Sequence, residues 1–94
     1  MTELTLVLWR DIPAQVILGK GRAARRVPLS TRFEQSIDRA AMKAGLAGTD
    51  DYLAQWRRQP ATADDPAALA ARIEAEYDTD RLRALIANGG RDPE

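Results

Sequence analysis

The 94-residue chain contains neither histidine nor cysteine, which closes most routes by which a small protein performs covalent or proton-transfer chemistry. Without imidazole there is no Ser-His-Asp relay, and without thiol there is no cysteine nucleophile, disulfide or ordinary zinc centre. Aromatic residues are few: two Trp, two Tyr and one Phe. No stretch approaches the ~20 apolar residues of a membrane span, and the first residues lack the basic start and apolar run of a signal peptide. The expectation is a cytoplasmic protein that makes no membrane contact. Carboxylate, hydroxyl, Lys, Arg and Tyr groups remain for chemistry, but in no recognised catalytic spacing. Composition therefore points to binding rather than catalysis, and assigns no catalytic residue, metal or cofactor.

A chain of this length is expected to form one domain with a small core, large enough to fold without a disulfide or metal. Much of its 45% hydrophobic content is alanine, which buries little area, so the larger apolar side chains must carry the core. Residues 1–48 hold eight basic and four acidic side chains, and residues 49–94 hold six and ten, so a net charge of zero hides +4 followed by −4. That asymmetry is open to three readings: attraction between the halves, a basic face for a partner, or plain solubility.

Leu4 to Trp9 is a short apolar run suited to a largely buried strand, with Leu4, Leu6 and Leu8 on one face and Thr5, Val7 and Trp9 on the other. A turn at Arg10 to Pro13 leads to a second strand at 14–18, and Val27-Pro28-Leu29 reads as an optional third, confined to an edge by its proline. Thr31 and Glu34 have the spacing of a capping box ahead of a helix that ends at Gly45. Thr49 caps a second, shorter helix with a buried stripe of Tyr52, Leu53 and Trp56, carrying Arg57 and Arg58 in its last turn, and residues 59–64 read as a connection. Asp65-Pro66 opens a further helix, and Asp78-Thr79-Asp80 marks a kink or a fresh start before Leu82, Leu85 and Ile86. The predicted architecture is α+β: a small antiparallel N-terminal sheet of two or three strands covered by three or four helices. Residues 1–88 form the domain and 89–94 a disordered tail. Trp9 and Trp56 are both expected at the sheet–helix interface.

Two constellations merit functional attention. Gly19, Lys20, Gly21, Arg22, Arg25 and Arg26 combine flexible backbone with several cations. They read either as a solvated turn or as an anion site for phosphate, a polyglutamate tail or an RNA backbone. Trp9, Arg10 and Gln15 lie within one short stretch and read either as a core tryptophan with an ordered turn or as a recognition hot spot. The acidic pairs Asp50-Asp51 and Asp64-Asp65 sit where helix caps want them. Overall neutrality and the scarcity of aromatics argue against nucleic-acid binding.

Leu4 to Trp9, Arg10-Asp11-Ile12-Pro13-Ala14-Gln15-Val16, Ser36 to Met42, Asp51-Tyr52-Leu53-Ala54-Gln55-Trp56-Arg57 and Leu85 to Gly90 together resemble the small bacterial "virulence factor" family. That family is similar to a terminal domain of conserved virulence factor C, where it accompanies helical repeats. Its name describes a phenotype and carries no catalytic residues to transfer. Free-standing members tend to be encoded near folate-linked one-carbon enzymes. The resemblance thus implies a non-catalytic accessory or protein-interaction domain, with a one-carbon enzyme as candidate partner.

Overall fold

A strand as apolar as residues 4–9 needs hydrogen-bond partners along both edges once it is buried. In the computed structural model, which describes residues 2–19 and 21–91, β1 (Thr2–Trp9) has both. It pairs antiparallel with β2 (Ile12–Leu18) on one side and with β4 (Trp56–Ala63) on the other, while β3 (Arg25–Pro28) pairs with the outer edge of β2. The sheet therefore has four strands in the order β3-β2-β1-β4, one or two more than the sequence predicts. The additional strand takes residues expected in the end of the second helix and the following connection. Nothing local marks Trp-Arg-Arg-Gln-Pro-Ala-Thr-Ala as a strand, but the vacant edge of β1 recruits it. Pro28 and Pro60 are both on edge strands, where a missing N–H is tolerated. Pro13, inside central β2, sits beside a bulge: Val7 pairs with Gln15 but Leu8 pairs with Pro13, leaving Ala14 as the extra residue.

The helices are α1 (Thr31–Lys43), α2 (Asp50–Ala54), α3 (Pro66–Glu76) and α4 (Thr79–Ala87). Leu4, Leu6 and Leu8 with Ile12 and Val16 share one core with Phe33 and Ile37 of α1, Leu69 and Ile73 of α3, and Leu82 and Leu85 of α4. Helices thus cover one face of the sheet, and the α+β class expected from the sequence holds. No helix among the described residues is long and apolar enough to cross a membrane.

Three of the four helix starts use an aspartate or threonine side chain. Thr49, Asp65 and Asp78 accept from the backbone N–H groups of Tyr52, Ala68 and Arg81, so the fresh start at Asp78 is a true break between two helices. The capping box at Thr31 does not form. The N-cap of α1 is Ser30, whose side chain makes no capping bond. Instead Glu74 of α3 accepts from the Ser30 N–H at 2.6 Å and hydroxyl at 2.8 Å, and pairs with Arg32 at 3.1 Å. A carboxylate at this helix start satisfies orphan donors and favours the positive end of the helix dipole, and it also ties α1 to α3.

Trp9 is fully buried. Its Nε1–H donates to the Tyr52 carbonyl at 2.9 Å, and its ring lies 5.5 Å from that of Tyr52. On another side is Gly90, where a Cβ would fall 2.6 Å from Trp9 Cζ3. Gly89 and Gly90, predicted to begin a loose tail, are buried. The Asp11 N–H donates to the Gly90 carbonyl at 2.8 Å, and Arg10 Nη1 donates to that of Gly89 at 2.9 Å. Residues 92–94 of the predicted tail lie outside the described residues.

Two outcomes follow from these contacts. Gly90→Ala places a methyl group against the indole at a φ of +92° and is expected to lower unfolding free energy by about 1–3 kcal/mol. A denaturant midpoint equal to that of the wild type would show that the C-terminal turn is not tightly seated on Trp9. The second concerns pH. Burial raises the pKa of Glu74, but the Ser30 amide and hydroxyl with the Arg32 guanidinium outweigh it and hold the carboxyl below its ordinary value. A depressed folded pKa contributes stability that is present above the unfolded value and lost as pH falls through the folded one. The stability gap between wild type and Glu74→Gln should therefore narrow as pH is lowered from about 6 towards 3. Melting curves across that range check it, and a gap that widens would refute the assignment.

Candidate functional site

The second face of the sheet carries the alternate residues of each strand. Val7 lies between Gln15 and Arg58, and Thr5 lies between Ile17 and Pro60, with Arg26 beyond Ile17. The grooves over this face are lined by strand and turn residues, with none from α1–α4. One, of about 550 Å³, includes Ile17, Gly19, Gly21, Arg26, Arg58 and Pro60. The next, of about 350 Å³, is formed by Val7, Gln15, Trp56, Arg57 and Arg58. Val7 and Ile17 are nonetheless buried. Flanking arginines can lay their aliphatic stems over such residues while keeping their guanidinium heads in water.

Trp56 begins β4 opposite Trp9 but does not join the core. It is 37% exposed and Leu53 is 63% exposed, so of the stripe predicted for the second helix only Tyr52 is partly buried. The reason is the early end of α2 at Ala54, after which the chain turns into a strand whose period of two sets Trp56 and Arg58 on the same open face. Trp56 stands edge-on to Tyr52, with ring centroids 6.2 Å apart and planes at 89°.

The structure separates the residues singled out from the sequence. Trp9 is in the core, and Arg10 is committed to the fold: besides the Gly89 carbonyl, its Nε donates to Gln55 Oε1 at 3.2 Å, and its guanidinium lies 5.2 Å from the Trp9 ring. Gln15 faces the open grooves. Lys20 lies outside the described residues. Arg22, in a short 3₁₀ turn, is exposed. Arg25 and Arg26, adjacent in a strand, go to opposite sides: Arg26 is opposite Ile17 on the open face, and Arg25 is opposite Leu18, which packs against the helical core. The basic loop is therefore not a single patch. Arg26 instead lines one groove with Arg58, a residue that the sequence places in a helix. Residues 56–63 carry no apolar–polar alternation that would have signalled the strand.

This arrangement offers guanidinium groups along a groove, with an indole and an aliphatic floor beside them, to an anionic surface. Arg57, next in sequence, is occupied: it donates to the Arg10 carbonyl at 2.8 Å and pairs with Asp11 at 3.1 Å, ordering the β1–β2 turn. Among the described residues, no three acidic side chains gather where they could hold a metal ion.

Residues 7–86 match the family described as "Virulence factor". No curated protein and no solved structure matches the chain.

The two tryptophans should respond unequally to truncation. Trp9→Ala is expected to cost about 3–5 kcal/mol of stability, whereas Trp56→Ala, which removes a part-exposed ring and its contact with Tyr52, should cost only about 1–2 kcal/mol. Chemical denaturation of both variants measures this directly, and a large loss from Trp56→Ala would return that residue to the core.

Proposed function

The chain belongs to the virulence factor family, and on that premise we propose that it is a non-catalytic protein-interaction domain, an accessory subunit that docks its open sheet face on an acidic surface of a partner in the cytoplasm. The observation that carries this reading is that Arg26 and Arg58, from the two edge strands, line one groove, with exposed Trp56 beside Arg58 in the next. Indole and guanidinium groups are the side chains that most often dominate protein interfaces. The likeness to family members encoded beside folate-linked one-carbon enzymes makes such an enzyme the first partner to test.

A second reading uses the same groove for a free anion. Gly19 and Gly21 line it together with the two arginines, and backbone at such positions can approach a phosphate or the carboxylates of a polyglutamate tail closely. Arg26 is the residue this reading shares with the anion site expected from the sequence, and Arg58 takes the role given there to Arg22 and Arg25.

Affinity capture from native extract followed by quantitative mass spectrometry should recover a specific partner with the wild-type protein. Arg26→Ala/Arg58→Ala should weaken that association at least about tenfold, equivalent to roughly 1.4 kcal/mol, without lowering the melting temperature. Raised salt should weaken it as well. Undiminished capture by the folded double variant would overturn the assignment of this face. Saturable binding of inorganic phosphate or oligoglutamate without any protein partner would favour the second reading.

A further inference from the structure

Around the edge of the sheet from the basic groove, α1 and the β2 bulge enclose a separate cavity of about 320 Å³. Its walls include Gln15, Glu34, Asp38, Tyr52 and Trp56, over Ile37, and none of its lining residues is basic. We propose that this cavity binds an organic cation, a guanidinium or alkylammonium head, held against the Tyr52 and Trp56 rings and facing the Glu34 and Asp38 carboxylates.

Three features converge on that chemistry. Tyr52 and Trp56 both line the cavity with their planes close to perpendicular, and the negative face of an aromatic ring attracts a cation that sheds part of its water. Glu34 and Asp38 are one helical turn apart on α1 and therefore on one side of it. Both are exposed, and neither forms an ion pair or hydrogen bond with another described residue. Their field is already felt inside the cavity: burial first, and then the charges of Asp38 and Glu34, raise the pKa of the Tyr52 phenol. The phenol thus stays protonated, leaving the charge of the site to the two carboxylates.

Size and donor set narrow the ligand class. At about 320 Å³ the cavity is near the lower end of the ~300–1,000 Å³ typical of ligand pockets, fitting one cationic head or side chain rather than a dinucleotide. A hard metal ion seeks about six oxygen ligands, whereas half of this site is aromatic and aliphatic surface. An organic cation can use both halves. The cavity shares Gln15 and Trp56 with the open face, but neither Arg26 nor Arg58 lines it, so variants of the two arginines separate this proposal from the acidic partner assigned there.

The test is an NMR titration of the full chain with tetramethylammonium chloride and, separately, N-acetylarginine amide, each at constant ionic strength against sodium chloride. Saturable shifts of the Trp56 indole and Tyr52 ring resonances are expected with the organic cations, without a comparable response to sodium. Trp56→Ala and Glu34→Gln/Asp38→Asn should each weaken binding at least about tenfold while retaining the wild-type amide spectrum away from the cavity. Arg26→Ala/Arg58→Ala should bind as the wild type does. Tighter binding of the arginine derivative supports a partner's guanidinium as the ligand, and tighter binding of tetramethylammonium supports an alkylated amine. Absence of saturation with both probes, or equal affinity in wild type and both folded cavity variants, overturns the proposal. Should Trp56→Ala fail to fold, the carboxamide double variant decides the question alone.

Discussion

Burial of the Trp9 indole is the constraint on which the rest of the molecule depends. The side chain ends the central strand, and its surroundings come from distant parts of the chain: the Tyr52 ring and carbonyl from α2, and Gly90 from the turn after α4. A large aromatic surface with a single polar atom can be buried only if that atom finds an acceptor, and the Tyr52 carbonyl supplies it. Gly90 is required because an indole lies where any side chain would begin. Arg10 reinforces the arrangement by reaching Gly89 and Gln55 while sitting beside the same ring. The C-terminal turn is thereby fastened to the first hairpin.

A second fastening, between Glu74 and the start of α1, shows how a charged group can do structural work at a partly exposed site. Glu74 accepts from two donors of Ser30 and one of Arg32, while Arg32 also donates to the backbone carbonyls of Glu74 and Tyr77. Several charge-assisted bonds share the ordering cost of two side chains, which distinguishes this group from an isolated surface ion pair.

With three helices packed on one face and the opposite face left open, the sheet divides a packed surface from an exposed one. The helical side takes the leucines of β1. The open side displays Gln15, Arg26, Trp56 and Arg58 above a small floor of Val7 and Ile17. Around its edge, the cavity under α1 is acidic and aromatic. Opposite charge preferences at adjoining sites suit a binding domain that discriminates among partners, since like charges presented to either site are repelled.

Local signals in the sequence determined much of the fold. The β1 run, the proline of edge strand β3, Thr49, Asp65 and Asp78 as caps, Gly45 as a helix end and the break before α4 all act within a few residues of themselves, so each was legible, whereas Pro13, read as part of a turn, lies in β2 beside the bulge. The α+β class follows from them, and the family likeness runs through the same segments. Tertiary structure alone decided the features that draw on distant residues. Residues 56–63 become a strand because β1 has an unpaired edge, not because of their own pattern. Trp56 is exposed because the early end of α2 puts it in a strand, and Trp9 is buried because Tyr52 and Gly90 close over it. Glu74 caps α1 in place of Thr31 because α3 packs beside Ser30. The candidate sites belong to this second group. Arg26 and Arg58 line one groove, and Glu34 and Trp56 one cavity, only when the sheet and helices assemble.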